Sequence, residues 1–225
     1  MRDVEFNHTR VAKSLEAYTA ADKLDVILFP EMMFTGYSFT DPEDVKKYAE
    51  EAGKGPTFKF LSQLAKSLKT YIICGYPELF IDTKNENKTR LFSSLYVIDR
   101  NGELKLNYRK CHLFELELLW AEEGEDFGWL EMENSKGVKY RAAVAMCMDI
   151  NPYRLLNPDK FELADFCKEK NIDALFLSSA WPDEDVEKTD AKAIESTINY
   201  WLYRLQPLCN TPDKVKYDKK WAFFS

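Results

Sequence analysis

Residues 25–31 read D-V-I-L-F-P-E. Four apolar side chains in a row make Asp25–Phe29 a short strand, apolar enough to be buried on both faces. Pro30 restricts the backbone before it, which leaves Glu31 directly beyond the carboxyl end of the strand. Upstream, Asn7 can cap a helix running through about residue 21, with Val11, Leu15 and Tyr18 on one face. Downstream, Pro56 suits the first turn of a second helix whose stripe is Phe58, Leu61, Leu64, Ala65 and Leu68. A second strand, Tyr71–Tyr76, follows. Helix, strand, helix, strand is the order of an α/β protein with helices packed on a sheet.

The same alternation continues to the end of the chain. Phe92–Ile98 and Glu103–Tyr108 flank Asp99-Arg100-Asn101-Gly102, and Asn-Gly is a strong hairpin signal. Val138–Ala145 reads as a buried strand, Phe161–Lys170 as a helix and Ala174–Leu177 as a strand. Ala191–Leu205 reads as a long helix with Ile194, Ile198, Leu202 and Leu205 inward, and Trp221–Phe224 as a final strand. No repeat or low-complexity linker interrupts this pattern, so residues 1–225 are expected to form one domain.

Bulk properties exclude several classes. A formal net charge of −7 offers no footprint for nucleic acid. The apolar runs, such as Tyr71–Cys74 and Ala142–Met148, are far shorter than the roughly 20 residues that cross a bilayer. No basic, then apolar, then small-residue leader opens the chain. The five cysteines are scattered, with no C-x-x-C pair, which argues against zinc and against a disulfide framework. A reducing, cytoplasmic setting is the simplest expectation. Only His8 and His112 are available to any histidine mechanism, and His8 falls on a surface helix.

Three residues with chemistry reach the carboxyl ends of strands, where α/β folds gather ligands. Glu31 follows Asp25–Phe29, Lys110 follows Glu103–Tyr108, and Cys147 ends Val138–Ala145. Singly, each has an ordinary reading: a solvated loop acid, a surface lysine, a small buried thiol. Met32, Met33 and Phe34 weaken the first, and the polar turn Asp149, Asn151, Pro152 weakens the third. Strand alternation lets only one of Arg109 and Lys110 face a shared site. Together they make a constellation of acid, cation and thiol. A partly desolvated Glu31 would serve as a general base. Backbone dipoles and an ammonium nearby would lower the thiol. Trp181, after Ser178-Ser179-Ala180, is a candidate wall of the same site.

The ordered set L-F-P-E with G-Y shortly after, Y-R-K, and the C-M-D turn after an apolar strand resembles the nitrilase superfamily of carbon–nitrogen hydrolases. The segments F-T-G-Y-S-F, N-G-E-L-K-L-N-Y-R-K, C-M-D-I-N-P-Y, S-S-A-W and I-N-Y-W-L-Y-R are similar to its subfamily of fungal-type protein N-terminal asparagine amidohydrolases. The resemblance implies an α/β fold, a four-layer α-β-β-α sandwich, of which the first strand and the C-terminal strands are expected to be absent from residues 1–225. It implies Glu31, Lys110 and Cys147 as catalytic residues, with the backbone N–H of Met148 helping to hold an oxyanion. It also implies a supporting carboxylate after the lysine, for which Glu115, Glu117, Glu122 and Glu123 compete, Glu115 and Glu122 being put forward. Tyr37, Asp149 and Trp181 are the expected substrate contacts. No metal or organic cofactor is needed. The implied partners are protein or peptide N-termini bearing Asn or Gln, deamidated with release of ammonia. Other readings are an amidase for a free small amide or carbamoyl amino acid, a silent relative with a binding role, and a Cys147–His112 protease.

Overall fold

The computed structural model describes residues 3–181, 191–209 and 221–225. Helix α1 (Val4–Leu15) is capped by Asp3, whose carboxylate accepts from Phe6 N at 2.9 Å. The cap is therefore Asp3 rather than Asn7. Asn7 lies inside the helix and donates its amide to Phe34 O at 2.8 Å, tying α1 to the loop after Glu31. The helix stops at Leu15, and Tyr18 beyond it is exposed.

The first sheet has the order β1-β2-β3-β4: β1 (Val26–Leu28), β2 (Tyr71–Asp82), β3 (Lys88–Ile98) and β4 (Leu104–Arg109). β1 runs parallel to β2, with Val26 opposite Tyr71, and the other pairings are antiparallel. The Asp99–Gly102 turn closes the β3–β4 hairpin, with Gly102 at φ +75° donating to Asp99 O. β2 runs past Tyr76, where the sequence reading stopped at Pro77. That proline is tolerated because β1 pairs only as far as Ile73. Between β1 and β2 come the short α2 (Pro42–Lys46) and α3 (Pro56–Leu68).

The second sheet has the order β5-β6-β7-β8: β5 (Gly128–Glu133), β6 (Lys139–Met146), β7 (Ala174–Ser178) and β8 (Trp221–Phe224). β5 is antiparallel to β6, while β6, β7 and β8 run parallel. β5 was absent from the sequence reading. Its G-W-L-E-M-E alternates, with Met132 buried and Trp129 and Glu131 turned out, which is the period-two signal of a half-buried strand.

The sheets meet face to face. Ile73, Leu95, Val97 and Tyr108 pack against Ala142, Val144, Met146 and Phe176. α1 and α3 cover the far side of the first sheet through Val11, Leu61 and Ala65. α4 (Glu162–Glu169), α5 (Ala191–Arg204) and α6 (Gln206–Cys209) lie on the second-sheet side, where Leu163, Cys167 and Leu205 pack on Ala143, Ala145 and Leu177. Helix, sheet, sheet, helix is the expected four-layer order.

α5 presents a different face from the anticipated one. Ile194, Ile198 and Leu202 are exposed, whereas Leu205 is buried as expected and Trp201, Arg204 and Leu208 turn inward with it. Trp201 stacks on Phe224 at 4.4 Å between ring centroids. Arg204 donates to the carbonyls of Ile150 and Pro158 at 3.2 and 2.8 Å, and also to Lys160 O. A buried arginine takes a place that an apolar count assigns to the outside.

Candidate active site

Each of the three candidate residues is delivered by the end of a strand. Glu31 follows β1, and its N–H donates to Ser179 O at 3.4 Å, just past β7. Lys110 follows β4, and its N–H donates to Ser93 O at 2.9 Å. Cys147 follows β6 and opens a 3-10 turn, Cys147–Ile150. Its φ is +36°, a region that L residues disfavour, so the backbone is held against its preference where the thiol is presented. Two glycines permit the close packing. A Cβ on Gly75 would stand 3.1 Å from Met32 N, and one on Gly124 only 2.1 Å from Arg109 O.

The side chains converge. Lys110 is fully buried, and its Nζ donates to Glu31 Oε1 at 2.7 Å, to Glu117 Oε2 at 2.6 Å and to the Tyr37 hydroxyl at 3.5 Å. Arg109 points the other way, as alternation requires, to pair with Glu78 and lie over Phe92. The carboxylate supporting the lysine is Glu117, which sits in a 3-10 turn and also accepts from Phe114 N. Glu115 is exposed and Glu122 pairs with Arg90, so neither reaches Lys110. Only the loop's tertiary path decides this, since all the competing glutamates lie within one acidic run.

Burial raises the Glu31 pKa to about 7, Lys110 opposes this, and Glu117 adds to it. Burial also lowers the lysine, but the two carboxylates outweigh it and hold Lys110 well above its ordinary value. For Cys147, burial pushes the thiol up to about 12, and Glu31 pushes the same way. Lys110, the Ser179 hydroxyl and the Ala180 N–H pull it down. The resting state is therefore a protonated thiol beside a carboxyl that titrates near neutrality.

Asp149 is not placed for substrate. It is fully buried, and its oxygens accept from Cys111 N, His112 N, Tyr108 Oη and Met146 N at 2.7–3.2 Å. It fastens the Lys110 loop to the Cys147 turn. Met148 follows Cys147 in the first turn of the 3-10 segment, where backbone donors lack intrahelical acceptors. Trp181 is half-buried against Tyr200 and Trp201, one residue beyond Ala180. His112 is engaged elsewhere: Nδ1 bonds Asn151 O at 2.9 Å, and the ring meets Phe127 and Tyr153. The charged groups that act on the thiol are thus Glu31 and Lys110, while His112 is held by Asn151. Ser179 carries no role of its own in the sequence, where it stands only within the S-S-A-W segment before Trp181. A cavity of about 760 Å³ lined by Asp25, Val26, Tyr140, Ala174 and Trp221 opens at the opposite, amino ends of the parallel strands and contains none of these groups.

Residues 2–152 match the carbon–nitrogen hydrolase family model. The protein N-terminal amidase of Saccharomyces cerevisiae is 32% identical over 174 residues, which is 71% of this chain and 37% of that one. The protein N-terminal amidase of Schizosaccharomyces pombe is 31% identical over 208 residues, 85% of this chain and 70% of that one. Crystal structures of an N-terminal amidase with Asn-Glu-Ala and with Gln-Val peptides superpose with a TM-score of 0.72 at 27% and 26% identity. They cover 91% of this chain, which spans about half (51%) of theirs. The fold is that of the nitrilase superfamily, and the chain belongs to the carbon–nitrogen hydrolases.

Proposed function

We propose that this chain is an amidohydrolase that converts N-terminal Asn or Gln of peptides to Asp or Glu. The observation that carries the reading is the buried Glu31–Lys110–Glu117 cluster set against the thiol of Cys147. Its likeness to N-terminal amidases solved with Asn- and Gln-initiated peptides supports the substrate class.

The chemistry follows from the protonation states. Glu31, its pKa raised by burial to about 7, can both hold and release a proton near neutral pH. It takes the proton from Cys147 as Sγ forms a bond to the side-chain amide carbon. Lys110 Nζ and the Met148 N–H hold the resulting oxyanion. Glu31 returns the proton to the amide nitrogen, the C–N bond breaks, and ammonia leaves a thioester on Cys147. Water then attacks the thioester, giving its proton to Glu31, and the carboxylic acid departs as the thiol is restored. Glu117 keeps Lys110 charged and aimed throughout.

The test is ammonia release from short peptides beginning with Asn or Gln, from the same residues placed internally, and from free asparagine and glutamine, with Cys147→Ala as the blank. Cys147-dependent release from N-terminal residues of peptides alone is expected. Release only from the free amino acids would replace this reading with a small-amide amidase. No release from folded protein would overturn both.

A further inference from the structure

Ser178-Ser179-Ala180 leaves β7 between the two arms that carry the base and the nucleophile. Met146 pairs with Ser178 in the parallel β6–β7 register. The Ser178 hydroxyl donates to Phe29 O at 2.9 Å, and Ser179 O accepts from Glu31 N at 3.4 Å. Ser178 and the Ser179 backbone thus splice the Glu31 loop to the Cys147 strand. The Ser179 hydroxyl takes no part in that splice. It is buried, with the residue only 4% exposed, lies against the Cys147 thiol, and has no fully aligned hydrogen bond among the described residues.

A buried hydroxyl without a partner is costly, and one beside a group that must become an anion has an obvious use. Of the protein groups that ease ionisation of Cys147, two lie on this turn, the Ser179 hydroxyl and the Ala180 N–H. The charged groups around the sulfur are Glu31 and Lys110, with Glu117 and Asp149 behind them and the Tyr37 hydroxyl alongside. Glu31 opposes the thiolate while it is itself ionised. Lys110 is shared between two carboxylates, so its charge is largely spoken for. A neutral donor that swings onto the sulfur only when charge develops would stabilise the thiolate without stabilising the thiol, which is the differential interaction that speeds a step.

We propose that Ser179 is a positioning residue for the nucleophile: its hydroxyl, beside the resting thiol but not aligned on it, donates to the Cys147 thiolate while its backbone holds Glu31 in reach. The proposal rests on Cys147 being the nucleophile, and its test does not need the amide substrate. The rate of alkylation of Cys147 by iodoacetamide would be followed across a pH series, with the label located by peptide mass spectrometry and Cys147→Ala as the blank. Wild type, Ser179→Ala, Ser179→Thr and Ser179→Val are compared, with thermal melts confirming that each is folded. Ser179→Ala and Ser179→Val are expected to be alkylated about tenfold more slowly at a fixed pH below the midpoint, and to titrate about one pH unit higher. Ser179→Thr keeps the donor and should follow wild type. Thr and Val have the same shape, so their comparison stands even where Ser179→Ala fails to fold. Coincident Thr and Val profiles would overturn the proposal. So would a midpoint that falls on losing the hydroxyl, which would mean that the thiol donates to the serine. A shifted profile without peptide turnover leaves this inference standing and removes the amidase reading; peptide turnover with unshifted profiles does the reverse.

Discussion

Glu31, Glu117 and Lys110 place two negative charges and one positive in a volume closed to water. Removing such groups from water costs several kcal/mol each, and the surplus charge has nowhere to go but onto a proton. That is the physical origin of the raised Glu31 pKa, and on the proposed mechanism it sets the pH dependence of the reaction. The acid limb of kcat/KM for peptide deamidation is expected near pH 7, where Glu31 loses its proton. A limb near pH 4.5, the ordinary value, would show that burial does not act on the base as described. The same shift has a stability consequence of definite sign. Between pH 4.5 and about 7 the folded protein keeps a proton that the unfolded chain has lost, so this group's contribution is full below that window and is lost as pH rises through it. Glu31→Gln should therefore be inactive, yet melt no lower than wild type at pH 8, with any gain in Tm vanishing at pH 5. A lower Tm at pH 8 would mean that the Glu31–Lys110 bond outweighs the cost of the extra charge.

At the scale of elements, the site depends on fastenings that do no chemistry. Asp149 gathers donors from Tyr108, Cys111, His112 and Met146 and so joins the end of β4 to the end of β6. Asp149→Ala leaves those donors buried and unpaired, and a loss of about 3 kcal/mol or more is expected in urea denaturation. Retention of wild-type stability would show that water takes over the role. α5 offers the opposite case. Its anchors are Trp201 and Arg204, while Ile198 and Leu202 face solvent. Ile198→Asp and Leu202→Asp should each change stability by no more than about 0.5 kcal/mol. A loss of several kcal/mol would place that stripe against a core and refute the helix orientation.

For the whole molecule, the decisive feature is that one core is shared by both sheets. Ile73, Leu95 and Val97 have their apolar partners in Ala142, Val144 and Met146, so neither sheet keeps its inner face dry alone. Unfolding should be a single transition, with far-UV circular dichroism and tryptophan fluorescence giving one midpoint. Two separated midpoints would mean that the sheets fold independently and that the site is assembled by a later docking step. The face-to-face arrangement also explains why the three candidate groups meet. Glu31 and Lys110 come from the first sheet and Cys147 from the second, and each leaves the carboxyl end of its own strand.

The sequence by itself determined whatever depends on local pattern. The buried strand before Glu31, the α3 stripe, the Asn-Gly hairpin and the rule that only one of Arg109 and Lys110 can face the site all follow from side-chain periodicity and turn chemistry, which act over a few residues; that Lys110 is the one came from the family resemblance. β5 is written in the same local pattern, through the alternation of Gly128–Glu133. Other features depended on groups far apart in the chain. Which glutamate supports Lys110 is set by the path of the 110–124 loop, because Glu115, Glu117 and Glu122 are chemically equal until one of them is buried. Asp149 resembled a substrate contact until its oxygens were found filled. α5 was turned wrongly because apolar periodicity cannot count a buried arginine whose partners are carbonyls in the segment 150–160. Ser179 gained meaning only when β7 was laid beside β6. Periodicity reports which way a side chain faces, whereas a partner distant in sequence is fixed only when the sheets pack.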